Sequence, residues 1–200
     1  MAVRVPGDDE IRALHRRFAP HDAAFDLVHT HCVIVSRIAE TLLPAGVDRA
    51  LVRAGCLLHD IGVYRLYGPS GELDHGGYLR HGVLGHELLR ELGFAEELCR
   101  FCSCHTGVGI SRDDIGRQRL PLPPGDYLAL TGEEELVMYA DKFHSKKSPP
   151  VFVTAVAYRA AVARFGADKA ARFDDLVRRY GEPDLTALAA EYGHPVTRAG

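Results

Sequence analysis

Apolar residues recur at helical spacing along most of the chain, and the breaks between those runs divide it into helices. Asp8, Asp9 and Glu10 precede Ile11, Leu14 and Phe18, which predicts a short amphipathic helix ended by Pro20. Asp22 suits the N-cap of a longer helix reaching about Leu43, with Phe25, Val28, Val35, Ile38 and Leu42 on or near one face. His31 lies four residues before Val35 and seven before Ile38, so it shares that apolar stripe. Pro44-Ala45-Gly46 breaks the chain, and the stretch from Asp48 to Leu58 resumes it, with Leu51, Val52, Ala54, Gly55 and Leu58 inside.

No helical period runs from Val63 to Tyr78, where Gly68-Pro69-Ser70-Gly71 and Gly76-Gly77 predict a flexible connection, a candidate lid or substrate-binding segment. His81 opens a helix that continues through Leu88, Leu89 and Leu92 to Gly93. A short one follows from Ala95 to Ser103. Residues 110–126, rich in Arg, Pro and Gly, predict a loop. Thr131 then caps a helix whose first turn carries Glu133, Glu134 and Glu135 and whose end carries Asp141. Val151 to Phe165 and Ala167 to Tyr180 predict two more helices, and a last one begins near Asp184. The expectation is an all-α fold in one domain, 1–200. Its core spans about 22–147, and a helical extension, 151–192, covers the core and offers a dimer contact.

Composition narrows the class. At 200 residues and 46% hydrophobic, the chain can bury one good core and is short for two. Lys and Arg number 24 against 27 Asp and Glu, so no basic excess argues for nucleic acid, although a local cationic patch could hold a small anion. No apolar run approaches the length of a membrane helix, and Met1 to Asp9 has no apolar core of a secretory signal. The expectation is a reduced, cytoplasmic protein. The five cysteines give no metal pattern: Cys99-x-x-Cys102 has no second pair and is not followed by His, so the cysteines read as small buried hydrophobes.

The chemistry concentrates where apolar helices end. Leu57-Leu58-His59-Asp60-Ile61-Gly62 runs from an apolar segment into adjacent imidazole and carboxylate groups. Neighbouring side chains on a helix point about 100° apart, so the pair reaches two metal ions, or one ion and its surroundings. Imidazole beside carboxylate favours iron, manganese, cobalt, nickel or zinc over calcium. Asp141 follows an apolar helix segment, where an unpaired acid is costly. The ordered set is His31, His59, Asp60, His81, His105 and Asp141; His29, His75 and His86 are the neighbours left out of it.

This set resembles the HD superfamily of metal-dependent phosphohydrolases over roughly residues 22–147. The resemblance rests on His31, Leu57-Leu58-His59-Asp60-Ile61-Gly62, His81-Gly82-x-x-Gly85, His105-Thr106-Gly107 and Ala140-Asp141. With six ligand positions the chain is similar to the dinuclear HD proteins, the bacterial diadenosine tetraphosphate hydrolases among them. The resemblance implies two divalent ions, iron or manganese, with cobalt, nickel, zinc or magnesium as alternatives. It assigns His31, His59, Asp60 and Asp141 to the first, and His81 and His105 to a second that Asp60 bridges. It further implies a small phosphorylated substrate such as a nucleotide, with Asp60 and Lys142 as catalytic residues and Arg65, Arg80 and Lys142 as phosphate contacts. Nucleic acid and membrane are not expected partners; a homodimer is compatible.

The chain also departs from the pattern. Val63 stands where many HD proteins have lysine after His-Asp-Ile-Gly, and Cys104-His105-Thr106-Gly107 lacks the His-His-Glu of the cyclic-di-GMP phosphodiesterase branch. The alternatives are a di-iron oxygenase of the same superfamily, against which Val63 speaks, and a metal-bound nucleotide sensor without turnover.

Overall fold

The computed structural model describes residues 3–197. Helices α1 (Asp8–Phe18), α2 (Asp22–Thr41), α3 (Arg49–Leu58), α4 (His81–Glu91), α5 (Glu96–Cys104) and α7 (Gly132–Asp141) form the bundle, and α6 (Arg112–Gln118) lies in the connection before α7. The remaining helices, α8 (Ala155–Val162), α9 (Ala167–Tyr180) and α10 (Thr186–Tyr192), pack outside it. Three short strands, β1 (His144–Ser145), β2 (Val151–Val153) and β3 (Val196–Thr197), join the two parts; β1 and β2 are antiparallel, and β2 and β3 parallel.

The apolar stripes meet as expected: Val28, Ile34, Val35 and Ile38 of α2 are buried with Leu58, Leu88, Leu89, Phe101 and Val137. Glycines set how closely the helices approach. A Cβ at Gly55 would fall 2.5 Å from the Phe101 ring, and one at Gly62 would fall 2.1 Å from the His81 carbonyl oxygen and 2.2 Å from the Gly85 nitrogen. The first contact seats α5 against α3, and the second seats α4 against the segment that follows Asp60. All five cysteines are free and buried, as the sequence predicts.

Four local expectations change. The cap of α2 is His21, whose ring accepts from the Ala24 N–H; Asp22 is already inside the helix and pairs with Arg16. The segment after Asp60 is not flexible at its start: residues Ile61–Leu66 form a buried 3-10 helix, because Ile61, Val63, Tyr64 and Leu66 all face the core. The loop expected over 110–126 contains α6, nucleated by a reciprocal capping box between Ser111 and Asp114. Finally, Val151–Val153 is extended, not helical. Phe152 pairs with His144 and Val196, and Thr154 caps α8 only afterwards.

Candidate metal centre

Four helix ends and one helix face converge on one interior point. His59 holds helical angles one residue past α3, and Asp60 leaves them, so the chain turns into the 3-10 helix with both side chains fully buried. His31 comes from the buried face of α2, His81 is the first residue of α4, His105 follows α5, and Asp141 ends α7. The structure thus brings together all six residues named from the sequence.

Asp60 divides them into two sets. Its Oδ2 lies 3.2 Å from His31 Nε2 and 3.4 Å from His59 Nε2, while its Oδ1 lies 3.4 Å from His81 Nε2 and 3.6 Å from His105 Nε2. Asp141 Oδ1 joins the first set, 3.0 Å from His31 Nε2 and 3.5 Å from His59 Nε2. Each set contains a group of three donors whose atoms lie within 4.8 Å of one another: His31, His59 and Asp60 on one side, Asp60, His81 and His105 on the other.

Two observations test whether a divalent ion fits. Asp60 Oδ1 is buried with no hydrogen-bond partner, a costly state for a carboxylate oxygen. The imidazole tautomers give the second. The Nδ1 atoms of His59, His81 and His105 meet the carbonyl oxygens of Cys56, Tyr78 and Phe101 at 2.7, 2.6 and 3.1 Å, and a carbonyl only accepts. When neutral, each ring donates from Nδ1 and presents a lone pair at Nε2. His81 Nε2 and His105 Nε2 are 2.9 Å apart, an arrangement that calls for a shared electrophile. The donor set suits borderline divalent metals.

Charge in the site is strongly coupled. Burial disfavours the Asp60 carboxylate, but Lys146 and His59 hold its pKa well below the ordinary value. Burial also opposes charge on Asp141, and Lys142 with His31 and His59 outweighs it. Burial depresses the pKa of His81 and depresses that of His105 further, with His59 and His81 adding to it, so both rings favour the neutral form a metal ligand needs.

A cavity of about 630 Å³ opens onto His31, His81, His105 and Asp141. Lys142, Lys146 and Lys147 line it, with Tyr78 and Tyr158 beside apolar walls that include Leu27 and Val63. Lys142 Nζ donates to Asp141 Oδ2 at 2.5 Å and to the His105 carbonyl at 2.8 Å, and Lys146 Nζ pairs with Asp60 Oδ2. Of the three cations singled out in the sequence, Lys142 reaches the site. Arg65 instead pairs with Glu91 at the surface, and Arg80 is exposed and does not line the cavity. His29 stacks on Phe25 and His86 meets Ser103, both apart from the cluster; His75 is exposed at the cavity wall.

Lys146 and His144 were not in the set read from the sequence. They sit two residues apart in extended chain, so both side chains turn to the same face, toward the site. Little in the sequence signals them: in Asp141-Lys142-Phe143-His144-Ser145-Lys146 only Phe143 is apolar, so no alternation marks the two-residue strand. Burial, with His31 and His194 close by, pushes the His144 pKa down to about 3.

The family model of the HD domain matches residues 28–146, more than half of the sequence and all six clustered residues. The chain belongs to the HD-domain family. An uncharacterized protein of Methanocaldococcus jannaschii is 44% identical to this HD-domain protein over 117 residues, 56% of this chain and 62% of the relative. A tRNA (cytidine(56)-2'-O)-methyltransferase of Picrophilus torridus is 31% identical over 70% of this chain, but over only 37% of its own length. The corresponding enzyme of Thermoplasma volcanium is 32% identical over 59% of the chain and 32% of its own length. The chain thus spans about three fifths of the first relative and about a third of the methyltransferases. Among solved structures, the HD domain of the L. monocytogenes phosphodiesterase PgpH superposes with a TM-score of 0.53 and 16% identity, covering 92% of this chain and all of that one. The same domain in complex with cyclic-di-AMP gives 0.51 and 15%, over 95% and 99%. At that identity the likeness establishes the fold. No helix among the described residues is long and apolar enough to cross a membrane.

Proposed function

We propose that this HD-domain protein is a metal-dependent phosphohydrolase that cleaves a phosphoester or phosphoanhydride of a nucleotide or another small phosphorylated compound. The observation that carries the reading is Asp60: one buried carboxylate turns each oxygen to a different pair of imidazoles, and one of those oxygens has no hydrogen-bond partner. His31, His59, Asp60 and Asp141 would hold one divalent ion, and His81, His105 and Asp60 a second. Ions held there supply a water of lowered pKa and neutralise charge developing on a phosphoryl group.

The chain's own residues then have distinct tasks. Lys142 and Lys146 place two ammonium groups at the cavity floor, where they balance the carboxylates and stand ready for phosphoryl oxygens. Lys146 supplies there a cation that Val63 does not. Lys147 lines the cavity as a third cation, suited to a further phosphate. Tyr78 gives a half-buried aromatic face, and burial raises its pKa to about 12, so its hydroxyl stays a neutral donor. A volume of about 630 Å³ lies in the range of small-molecule sites. The combination of aromatic face, apolar wall and several cations suits a nucleotide; the PgpH domain, of the same fold, was solved with cyclic-di-AMP.

The test is metal content of anaerobically purified protein, followed by phosphate release from a nucleotide panel with Mn²⁺ or Fe²⁺ added. About two metals per chain with phosphate release supports the hydrolase. Two irons with oxygen consumption and no phosphate release would replace it with the oxygenase, and tight nucleotide binding without product would replace it with the sensor. Protein that binds no metal overturns the reading.

A further inference from the structure

The four clustered histidines differ in what stands behind them. His59, His81 and His105 each donate from Nδ1 to a carbonyl of their own local chain, fixed by the helix end on which they sit. His31 is in the middle of α2, where the nearby carbonyls are committed to the helix, and its Nδ1 meets a side chain instead: His144 Nδ1 at 2.8 Å. His144 in turn places Nε2 3.0 Å from His194 Nδ1. The three rings lie nearly parallel, at 29° and 22° between successive planes. His144 is buried and His194 half-buried.

We propose that His144 and His194 are positioning residues that fix the tautomer and direction of His31, so that the C-terminal segment sets metal affinity at the first ion. The inference rests on the reading of His31 as a metal ligand through Nε2. A ring that gives its Nε2 lone pair to a metal carries its proton on Nδ1. That proton can go only to His144 Nδ1, which must then accept, leaving the His144 proton on Nε2 to be donated to His194 Nδ1. One coordination event thereby dictates the tautomer of three rings, the last of them 163 positions from the first in sequence. Partners behind a ligating imidazole typically change metal affinity about 10- to 100-fold when removed.

The backbone around His194 is built to hold it there. The Phe152 N–H donates to the Pro195 carbonyl at 2.8 Å, and Val196 pairs with Phe152, which itself faces His144 across β1 and β2. Arg37 of α2 bonds Glu191 at 2.5 Å and the Tyr192 hydroxyl at 3.3 Å, tying the segment to the helix that carries His31. The C-terminal extension therefore completes the metal centre from behind.

The experiment is Co²⁺ titration of metal-free full-length protein by calorimetry and visible absorption, on wild type, His31→Ala, His144→Phe, His144→Asn and His194→Ala. His144→Phe keeps the ring volume without an acceptor and should weaken one of two binding events about 10- to 100-fold. His144→Asn puts an amide oxygen near the position of Nδ1 and should restore most of it. His194→Ala, near the surface, should cost about 3- to 10-fold, the size of one neutral hydrogen bond. Long-range ¹H–¹⁵N spectra of the Zn²⁺-loaded protein should show His144 protonated on Nε2. Wild-type affinity in both His144→Phe and His194→Ala, or a Zn²⁺-loaded His144 protonated on Nδ1, would overturn the relay while leaving the metal site standing. Wild type that takes up no metal, or His31→Ala that binds like wild type, would overturn the ligand reading itself and the relay with it.

Discussion

Lys146 Nζ is paired with Asp60 Oδ2 in the interior, across 86 positions of the chain. Asp60 is fully buried and the Lys146 side chain nearly so, so each group depends on the other for compensation. Divalent ions on the same carboxylate would take over that role and release the ammonium toward the cavity. In metal-free protein, Lys146→Met should therefore lower stability by about 3 kcal/mol, a drop in Tm on the order of 10 °C. Added Mn²⁺ should recover much of that loss, so the metal-induced rise in Tm is larger in the variant than in wild type. Differential scanning fluorimetry with and without Mn²⁺ checks it; equal metal-induced shifts in the two proteins would show that Lys146 and metal do not compete for Asp60.

Asp60 faces both histidine pairs, His31 and His59 through one oxygen and His81 and His105 through the other. His31→Ala removes a donor from the first set only, and His81→Ala removes one from the second only. Each should cost about one metal per chain, whereas Asp60→Asn, which keeps the shape and deletes the charge, should cost both. Metal analysis after gel filtration reads the stoichiometry, and far-ultraviolet circular dichroism should stay helical throughout. An Asp60→Asn protein that still holds one metal tightly would show that the carboxylate serves a single ion.

Much of the centre was legible in the sequence because all of its residues but His31, which shares the apolar stripe of α2, sit at or beside helix ends. An apolar run that stops in His59-Asp60, a helix opening on His81 and one closing on Asp141 are local patterns, and the all-α bundle follows from the same periodicity. What was not legible depends on contacts distant in sequence. Lys146 and His144 acquire meaning only once β1 pairs with Phe152, and a strand of two residues leaves no period to detect. Arg65 looked equivalent to Lys142 as a cation, yet the 3-10 helix turns it outward to Glu91 while Lys142 is carried inward at the end of α7. The helix α6 was hidden because Gly116 and four charged residues between Ser111 and Gln118 mask its apolar side, although Ser111 and Asp114 have capping-box spacing.

Gly62 joins fold stability to the His81 side of the cluster. A Cβ there would meet backbone atoms of the first turn of α4, the His81 oxygen at 2.1 Å and the Gly85 nitrogen at 2.2 Å, and backbone cannot rotate away. Gly62→Ala should push α4 off the 3-10 helix and carry His81 away from Asp60. A loss of about 2–3 kcal/mol in urea denaturation is expected, together with weakened binding of one of two metals. A Gly62→Ala protein of wild-type stability and metal content would mean that α4 is not seated as closely as these contacts require.

His15 makes the fold acid-sensitive from outside the cluster. Its Nε2 donates to the Leu57 carbonyl at 2.8 Å and its Nδ1 accepts from the Tyr64 hydroxyl at 2.8 Å, so the neutral ring braces the segment that turns at His59 and Asp60. Burial, only partly offset by the Leu57 carbonyl, lowers its pKa to about 4. Above the ordinary value of about 6.5 the ring is neutral in both folded and unfolded chains, and its contribution is complete. As the pH falls from about 6.5 to about 4, the unfolded chain takes up a proton that the folded chain refuses, so stability declines; below about 4 both bind it and the decline ends. The His15 share of that decline is about 3 kcal/mol. His15→Gln should be less stable than wild type at pH 7, but the gap should close as the pH approaches 4, because glutamine does not titrate. Urea denaturation of metal-stripped protein between pH 7 and 4 measures the gap, and a gap that stays constant over that range would show that the His15 ring takes up its proton as readily in the native fold as in the unfolded chain.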